Sequence, residues 1–262
     1  MKIIVCVKVV IDPEAPTSLF KVDSETNKIT PPKGTPPVIN PFDENALEAA
    51  LQVNDKQPSN ITILSMGINI PKPVIRKSLA TGANNLVLLE DQLFDDLDTY
   101  STANILASAI RKIKEYDLII CGREAADTDA GQVGLGIAEM LGIPSVSFAK
   151  KIVPGDKKIE VTKVLENGYE IIEVPLPALI TVSSEVGSLR TANMQGIMAA
   201  QKKPMVSWNA ENLGVIQKPS RRVSLLKLYQ PSHITTCEII TGADPEESVA
   251  NLVGKLKAIK VL

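Results

Sequence analysis

Histidine occurs once in the 262 residues, at His233. A histidine-built metal site is thereby excluded, and a Ser-His-Asp triad would have to pass through that one side chain. His233 lies in YQPSHITT, among turn formers, which favours a surface or interface place over a catalytic one. Cysteine is almost as scarce: Cys6, Cys121 and Cys237 are far apart, with no CxxC or metal-finger spacing. Cys6 and Cys121 sit in apolar, strand-like runs, where a thiol behaves as a small hydrophobe. No basic excess exists. Lys and Arg number 28 against 30 Asp and Glu, so nothing draws the chain generally to nucleic acid or anionic membrane. The short clusters QKKP (201–204) and SRRVS (220–224) read as solvated faces or partner contacts. No apolar run reaches 18 residues and no charged-then-apolar leader is visible, so a reducing, cytoplasmic setting is the expectation. Tandem repeats are absent, and so are GxGxxG and GxxxxGK[ST], two common phosphate-cradling patterns.

What is present is alternation. KIIVCVKVV (2–10), ITILSM (61–66), LVLLE (86–90) and DLIIC (117–121) are apolar runs of the kind buried on both sheet faces. Between them PFDENALEAALQV (41–53), KPVIRKSLATGA (72–83) and TYSTANILASAIRKI (99–113) have helical spacing, and AGQVGLGIAEMLG (130–142) comes after the fourth run. This predicts an α/β fold, a parallel sheet covered on both faces by helices joined through right-handed crossovers. From about 148 the rhythm changes. Residues 148–182 alternate apolar and polar around ENG (166–168), predicting an antiparallel hairpin. The division expected is a domain over 1–201 that includes this hairpin, then an arm and helix over 202–262. The arm has few apolar residues able to form a core of its own, so it is expected to lie on another subunit.

Ligands of open parallel sheets settle beyond the strands' carboxyl ends, where strand order reverses. Cys6, Val7 and Lys8 fall at one such end, Ser65, Met66 and Gly67 at a second. The third strand leads into DDLDTYSTA (95–103), and the fourth into CGREAADTDAGQVG (121–134). Backbone N–H groups at a helix start suit a phosphate, and Gly131 and Gly134 would let them come close; ordinary capped turns are the plainer alternative. Thr99, Ser101 and Thr102 place three hydroxyls within four residues. One cap needs one such side chain, so the surplus serves either local capping or a diphosphate. Asn40 and the backbone near Phe42 read either as helix punctuation or as contacts to an adenine edge.

Taken in order, VCVKVV, INPFDENALEAAL, GREAADTDAGQVG, and EVPLPALITVSSEVGSLR followed by NMQGIMAAQKK resemble the β subunit of electron transfer flavoproteins over essentially the whole chain. The resemblance implies an adenine-nucleotide α-hydrolase-like fold, Rossmann-like in its layering, and a heterodimer with a larger α subunit wrapped by the C-terminal arm. It implies AMP as a structural ligand in ordinary members. In electron-bifurcating members it implies FAD, with NADH as hydride donor and ferredoxin or flavodoxin and a flavin dehydrogenase as acceptors. DTYST looks like the hydroxyl-rich motif of the bifurcating group, which would set Thr99, Ser101 and Thr102 against the FAD diphosphate or ribityl chain. The early KVVIDPEAP (8–16) departs from the KQVPDT of many bifurcating members. Carried over, nucleotide contacts fall on Cys6, Val7, Asn40, Pro41, Phe42, Asp43, Ile63 and Met66. They continue on Gly122, Arg123, Glu124, Ala125, Ala126, Asp127, Thr128, Asp129, Ala130, Gly131, Gln132 and Val133. Ser184, Glu185, Val186 and Gly187 resemble the loop that docks the dehydrogenase, with Val186 where leucine is usual. Arg123 either stabilises a reduced flavin or pairs with Glu124 or Asp127. No side chain is assigned as acid, base, nucleophile or metal ligand. A carrier with structural AMP and a free-standing nucleotide-binding regulator are the alternatives.

Overall fold

The computed structural model describes residues 1–23, 25–231 and 237–262, so His233 lies outside the described residues. The elements run β1 (Lys2–Cys6), β2 (Val9–Ile11), β3 (Lys21–Asp23), β4 (Lys28–Thr30), β5 (Pro37–Ile39), α1 (Pro41–Lys56), β6 (Asn60–Gly67), α2 (Lys72–Thr81), β7 (Asn85–Glu90) and α3 (Thr99–Ile113). They continue with β8 (Leu118–Gly122), α4 (Val133–Leu141), β9 (Ser145–Pro154), β10 (Lys158–Leu165), β11 (Gly168–Pro175), β12 (Ala178–Val182), α5 (Met194–Ala200), β13 (Met205–Trp208) and α6 (Pro245–Ala258).

Nine strands form one sheet in the order β11-β10-β9-β12-β8-β1-β6-β7-β13. All neighbours from β9 to β13 in that order are parallel, and β10 pairs antiparallel with both β9 and β11. The most apolar runs take the middle: every residue of β8 and of β12 is buried, as strands covered on both faces must be. Alternate residues divide the core. Ile3, Val5, Ile61, Ile63, Leu118 and Ile120 pack on the α1 side, while Ile4, Cys6, Leu64, Ile119 and Cys121 pack with α3 and α4. Strand order reverses at β1, since the chain moves to β6 and β7 on one side and returns to β8 on the other.

Three expectations change. The run 2–10 is not one strand: β1 ends at Cys6, and Val9–Ile11 pairs with β5 in a separate two-stranded sheet. The break has a long-range cause: the N–H of Lys8 turns away to donate to the Asp43 carboxylate at 2.7 Å. The hairpin expected over 148–182 is confined to β10 and β11, since Ala178–Val182 pairs in parallel with both β9 and β8. The boundary at 201/202 also moves. Met205–Trp208 pairs in parallel with β7 as the sheet's edge, and Leu213 and Val215 pack against the α3 side of the core. A stretch weak in periodicity is held there by its neighbour strand rather than by its own pattern. In α6 no residue is buried, and Val249, Leu252, Ile259 and Leu262 are exposed.

Candidate nucleotide site at the sheet's switch point

The carboxyl ends of β1 and β8 are neighbours, and α1 locks them together. Asp43 lies in the first turn of α1 and is buried. One carboxylate oxygen accepts from Lys8 N at 2.7 Å and the other from Gly122 N at 3.2 Å. Burial pushes the Asp43 carboxyl up to about 7, although bonds from Lys8, Asn40 and Gly122 pull the other way. Gly122 has no room for a side chain. A Cβ there would stand 2.5 Å from Asp43 Oδ1 and 2.6 Å from the Phe42 carbonyl carbon.

Asn40, also buried, ties α1 to the long loop after β8. Its Nδ2 donates to the Glu124 carbonyl at 2.8 Å, and its Oδ1 accepts from Ala126 N at 3.1 Å. This use of the amide leaves α1 without a side-chain cap, and α4, starting behind Gly131 and Gln132, has none either. Gly131 stands at φ +62, the left-handed conformation that brings the loop round into the helix. By contrast α3 is capped conventionally, Asp98 Oδ1 accepting from Ser101 N at 2.8 Å. Lys8 Nζ pairs with Asp127 at 2.7 Å, offsetting one of the loop's acids. Arg123 lies over the Phe42 ring at 4.4 Å, and its Nε is 2.7 Å from Glu124 Oε1, too bent for a hydrogen bond.

Of the expected contacts, Cys6, Val7, Asn40, Phe42, Asp43, Met66 and Gly122–Val133 come together around this end of the sheet, and Pro41 opens α1 beside them, exposed. Ile63 does not join them. It is wholly buried in the core layer beneath, two residues short of the first side chain of β6 with an unused polar atom. That side chain is Ser65, 1% exposed, whose hydroxyl has no partner. Its position at a strand's carboxyl end was visible in the sequence; its orphan hydroxyl was not. The neighbouring Cys6 thiol on β1, together with burial, pushes the Cys121 thiol up, away from nucleophilic use.

The hydroxyl cluster is already engaged. Thr99 Oγ1 donates to Gln132 Oε1 at 2.7 Å, joining α3 to the β8–α4 loop, and Ser101 Oγ donates to the Ser220 carbonyl at 3.4 Å. Thr102 is half-buried on the same turn. Hydrogen bonds from Ser101, Arg222 and Val223 outweigh the opposing effect of burial and hold the Asp98 carboxyl well below the usual carboxylate range.

In the loop after β12, Ser184 and Glu185 are exposed and Gly187 half-buried, but Val186 is buried and packs into the α1-side core. A valine expected to face a partner therefore supports the loop from beneath. Asn45 and Gln52 of α1 donate to the carbonyls of Gly187 and Val186 at 2.7 and 3.1 Å. Arg190 clamps the far end of the loop, bonding Glu48 through N, Nε and Nη2 and Asp55 through both guanidinium ends. Replacing Arg190 by alanine strands the buried Glu48 carboxylate. With Arg190 itself well exposed, the expected loss is about 1–2 kcal/mol in urea unfolding, with faster proteolysis of the 184–190 loop.

Three features fit an adenine nucleotide: uncapped N–H groups at the α4 start, the unpartnered Ser65 hydroxyl, and polar loops converging on one end of the sheet. Among the described residues no cluster of three or more His, Cys, Asp or Glu side chains suits a metal, and no helix is long and apolar enough to cross a membrane.

Fold and site define an open α/β protein whose polar loops converge at the sheet's switch point. Comparison sharpens this. A family profile described as "Electron transfer flavoprotein domain" matches residues 33–213. The chain is 37% identical over 262 residues to "Caffeyl-CoA reductase-Etf complex subunit CarD" of Acetobacterium woodii, covering 98% of both chains. It is 38% identical over 271 residues to "Electron transfer flavoprotein subunit beta" of Thermoanaerobacterium thermosaccharolyticum, covering both completely. It is 33% identical to "Acryloyl-CoA reductase electron transfer subunit gamma" of Anaerotignum propionicum over 98% of each. The chain belongs to the electron transfer flavoprotein family, as a β-type subunit.

Proposed function

We propose that this chain is the small subunit of a bifurcating electron transfer flavoprotein, holding FAD at the β1/β8 switch point beside a larger α subunit that carries its own FAD. When bound, FAD would supply the redox chemistry, the splitting of a two-electron hydride from NADH between ferredoxin or flavodoxin and, by way of the α-subunit FAD, a dehydrogenase. The chain's own groups position. Uncapped donors at the α4 start and Gly131 receive phosphate, Asn40 and Phe42 the adenine side, and Asp43 keeps the two strand ends in register. Thr99, Ser101 and Thr102 would face the diphosphate or ribityl chain. The observation carrying this reading is the Thr99–Gln132 bond, which puts the hydroxyl-rich turn next to the phosphate-type loop.

The relatives named for caffeyl-CoA and acryloyl-CoA reductase complexes support a dehydrogenase of the acyl-CoA or enoyl-CoA type; a lactate type is the other candidate. The loop at Ser184, Glu185 and Gly187 is the proposed dehydrogenase dock, and the arm and α6 the surface for the α subunit. A cytoplasmic place belongs to the same proposal. A second reading, a one-electron carrier with structural AMP, is favoured by one observation: Ser101 and Thr99 already have protein partners and need no diphosphate.

Flavin counting on the purified heterodimer decides between them. Two flavins with NADH-dependent bleaching are expected, and one flavin plus AMP would sink the bifurcating reading. Replacing Thr99, Ser101 and Thr102 by alanine should then weaken the small subunit's flavin on the order of tenfold or more, each neutral bond being worth about 0.5–1.5 kcal/mol. The α-subunit flavin should stay. Undiminished affinity at both sites would remove the role given to these hydroxyls.

A further inference from the structure

After β13 the arm returns to the first turn of α3. Asp98 uses its two oxygens for different ends: Oδ1 accepts from Ser101 N at 2.8 Å, while Oδ2 accepts from Val223 N at 3.0 Å and also from Arg222 N. Arg221 Nη1 reaches Asp96 Oδ2 at 2.6 Å, and the Arg222 guanidinium lies 4.7 Å over the Tyr100 ring. The Ser101 hydroxyl lies between the Asp98 carboxylate and the Ser220 carbonyl, 3.4 Å from the latter, and Ser101 is 1% exposed beneath the strap. A basic cluster that read as a solvated face or a partner contact is thus seated on the hydroxyl-rich turn.

We propose that Ser220–Val223 is a strap latched by Asp98, and that the seated strap and a diphosphate at Ser101 exclude one another. This rests on the FAD reading above. A ligand phosphate can accept from Ser101 only after the Ser220 carbonyl has left. AMP, lacking the second phosphate and the ribityl chain, does not reach this turn and leaves the strap in place. Drawing the arm onto a partner subunit uncovers Ser101, so assembly and flavin loading are linked, each favouring the other.

Asp98→Asn separates latch from cap. The amide oxygen still accepts from Ser101 N, whereas the NH2 group cannot accept from Arg222 and Val223. In the full-length chain, hydrogen exchange at those two amides should speed up about tenfold or more while Ser101 stays protected. FAD added to the wild-type chain should also speed exchange at Arg222 and Val223, and AMP should not. The variant should bind FAD more tightly, about fivefold, the strap no longer competing. Unchanged exchange in Asp98→Asn would overturn the latch, and slower exchange at Arg222 and Val223 on adding FAD would overturn the exclusion. If neither protein binds FAD, the cofactor reading and the exclusion fall together, while the ligand-free exchange rates still decide the latch.

Discussion

Gly122→Ala should cost about 3 kcal/mol or more of folding stability and abolish nucleotide binding, at the top of the usual range for overpacking. The added Cβ would lie 2.5 Å from Asp43 Oδ1, 2.6 Å from the Phe42 carbonyl carbon and 2.7 Å from its oxygen. Two of those atoms are backbone, so no rotamer relieves the contact; α1 must lift from β8. Lifting α1 breaks the Asp43 bond to Gly122 N and the Asn40 bonds to Glu124 and Ala126, which together shape the loop over the site. A net stability of only about 5–15 kcal/mol makes this a large fraction. Thermal melting and nucleotide titration check it, and a variant with wild-type values in both would show that the close approach carries no weight.

Asp43 gives the second large effect, with a pH signature. Alanine here leaves two buried N–H groups without acceptors, an expected loss of about 2–6 kcal/mol at roughly 1–3 for each. Asparagine is the more telling change, since it keeps one acceptor and removes the titration. The carboxyl is raised from 3.8 to about 7 in the folded protein, so the native state holds its proton more tightly than the unfolded chain. That contribution is fully present below pH about 3.8 and is lost as pH rises to about 7; the whole span corresponds to roughly 4 kcal/mol. Wild-type stability should therefore decline from pH 5 to pH 7.5 relative to Asp43→Asn, whose curve lacks this component. Urea unfolding of both proteins across that range measures it. Parallel curves would mean that the two backbone donors, not burial, govern the ionisation of this group.

The first half of the sheet was legible because a run such as LIICG leaves little choice, every residue being buried; ALITV was read into the hairpin over 148–182 and is instead a central parallel strand. The hairpin around ENG was equally readable, its register running from Lys158 against Pro175 to Leu165 against Gly168. What escaped was decided by single long-range bonds. KIIVCVKVV has one uninterrupted propensity, yet it breaks where a carboxylate 35 residues away takes the Lys8 N–H. MVSW has too little pattern to announce a strand and becomes one because β7 offers an edge. At the site, residue types were readable but orientation was not. Val186 and Ile63 sit at sequence positions that suit contact, and both side chains point into the core. Ser101 was legible as a hydroxyl and not as one covered by a segment 119 residues further on.

The two core layers consequently end at the same place. Val7, Asn40 and Gly122 approach the strand tips from one face, Cys6, Met66 and the α3 turn from the other. A nucleotide lodged across those tips would grip both layers at once, and a ligand that binds only the folded chain adds its mass-action term to the whole fold. At a concentration 100 times its dissociation constant that term is about 2.7 kcal/mol. A bound nucleotide would thus add cohesion where, from one face, Asn40 and, from the other, Thr99 already tie the two layers to the loop after β8.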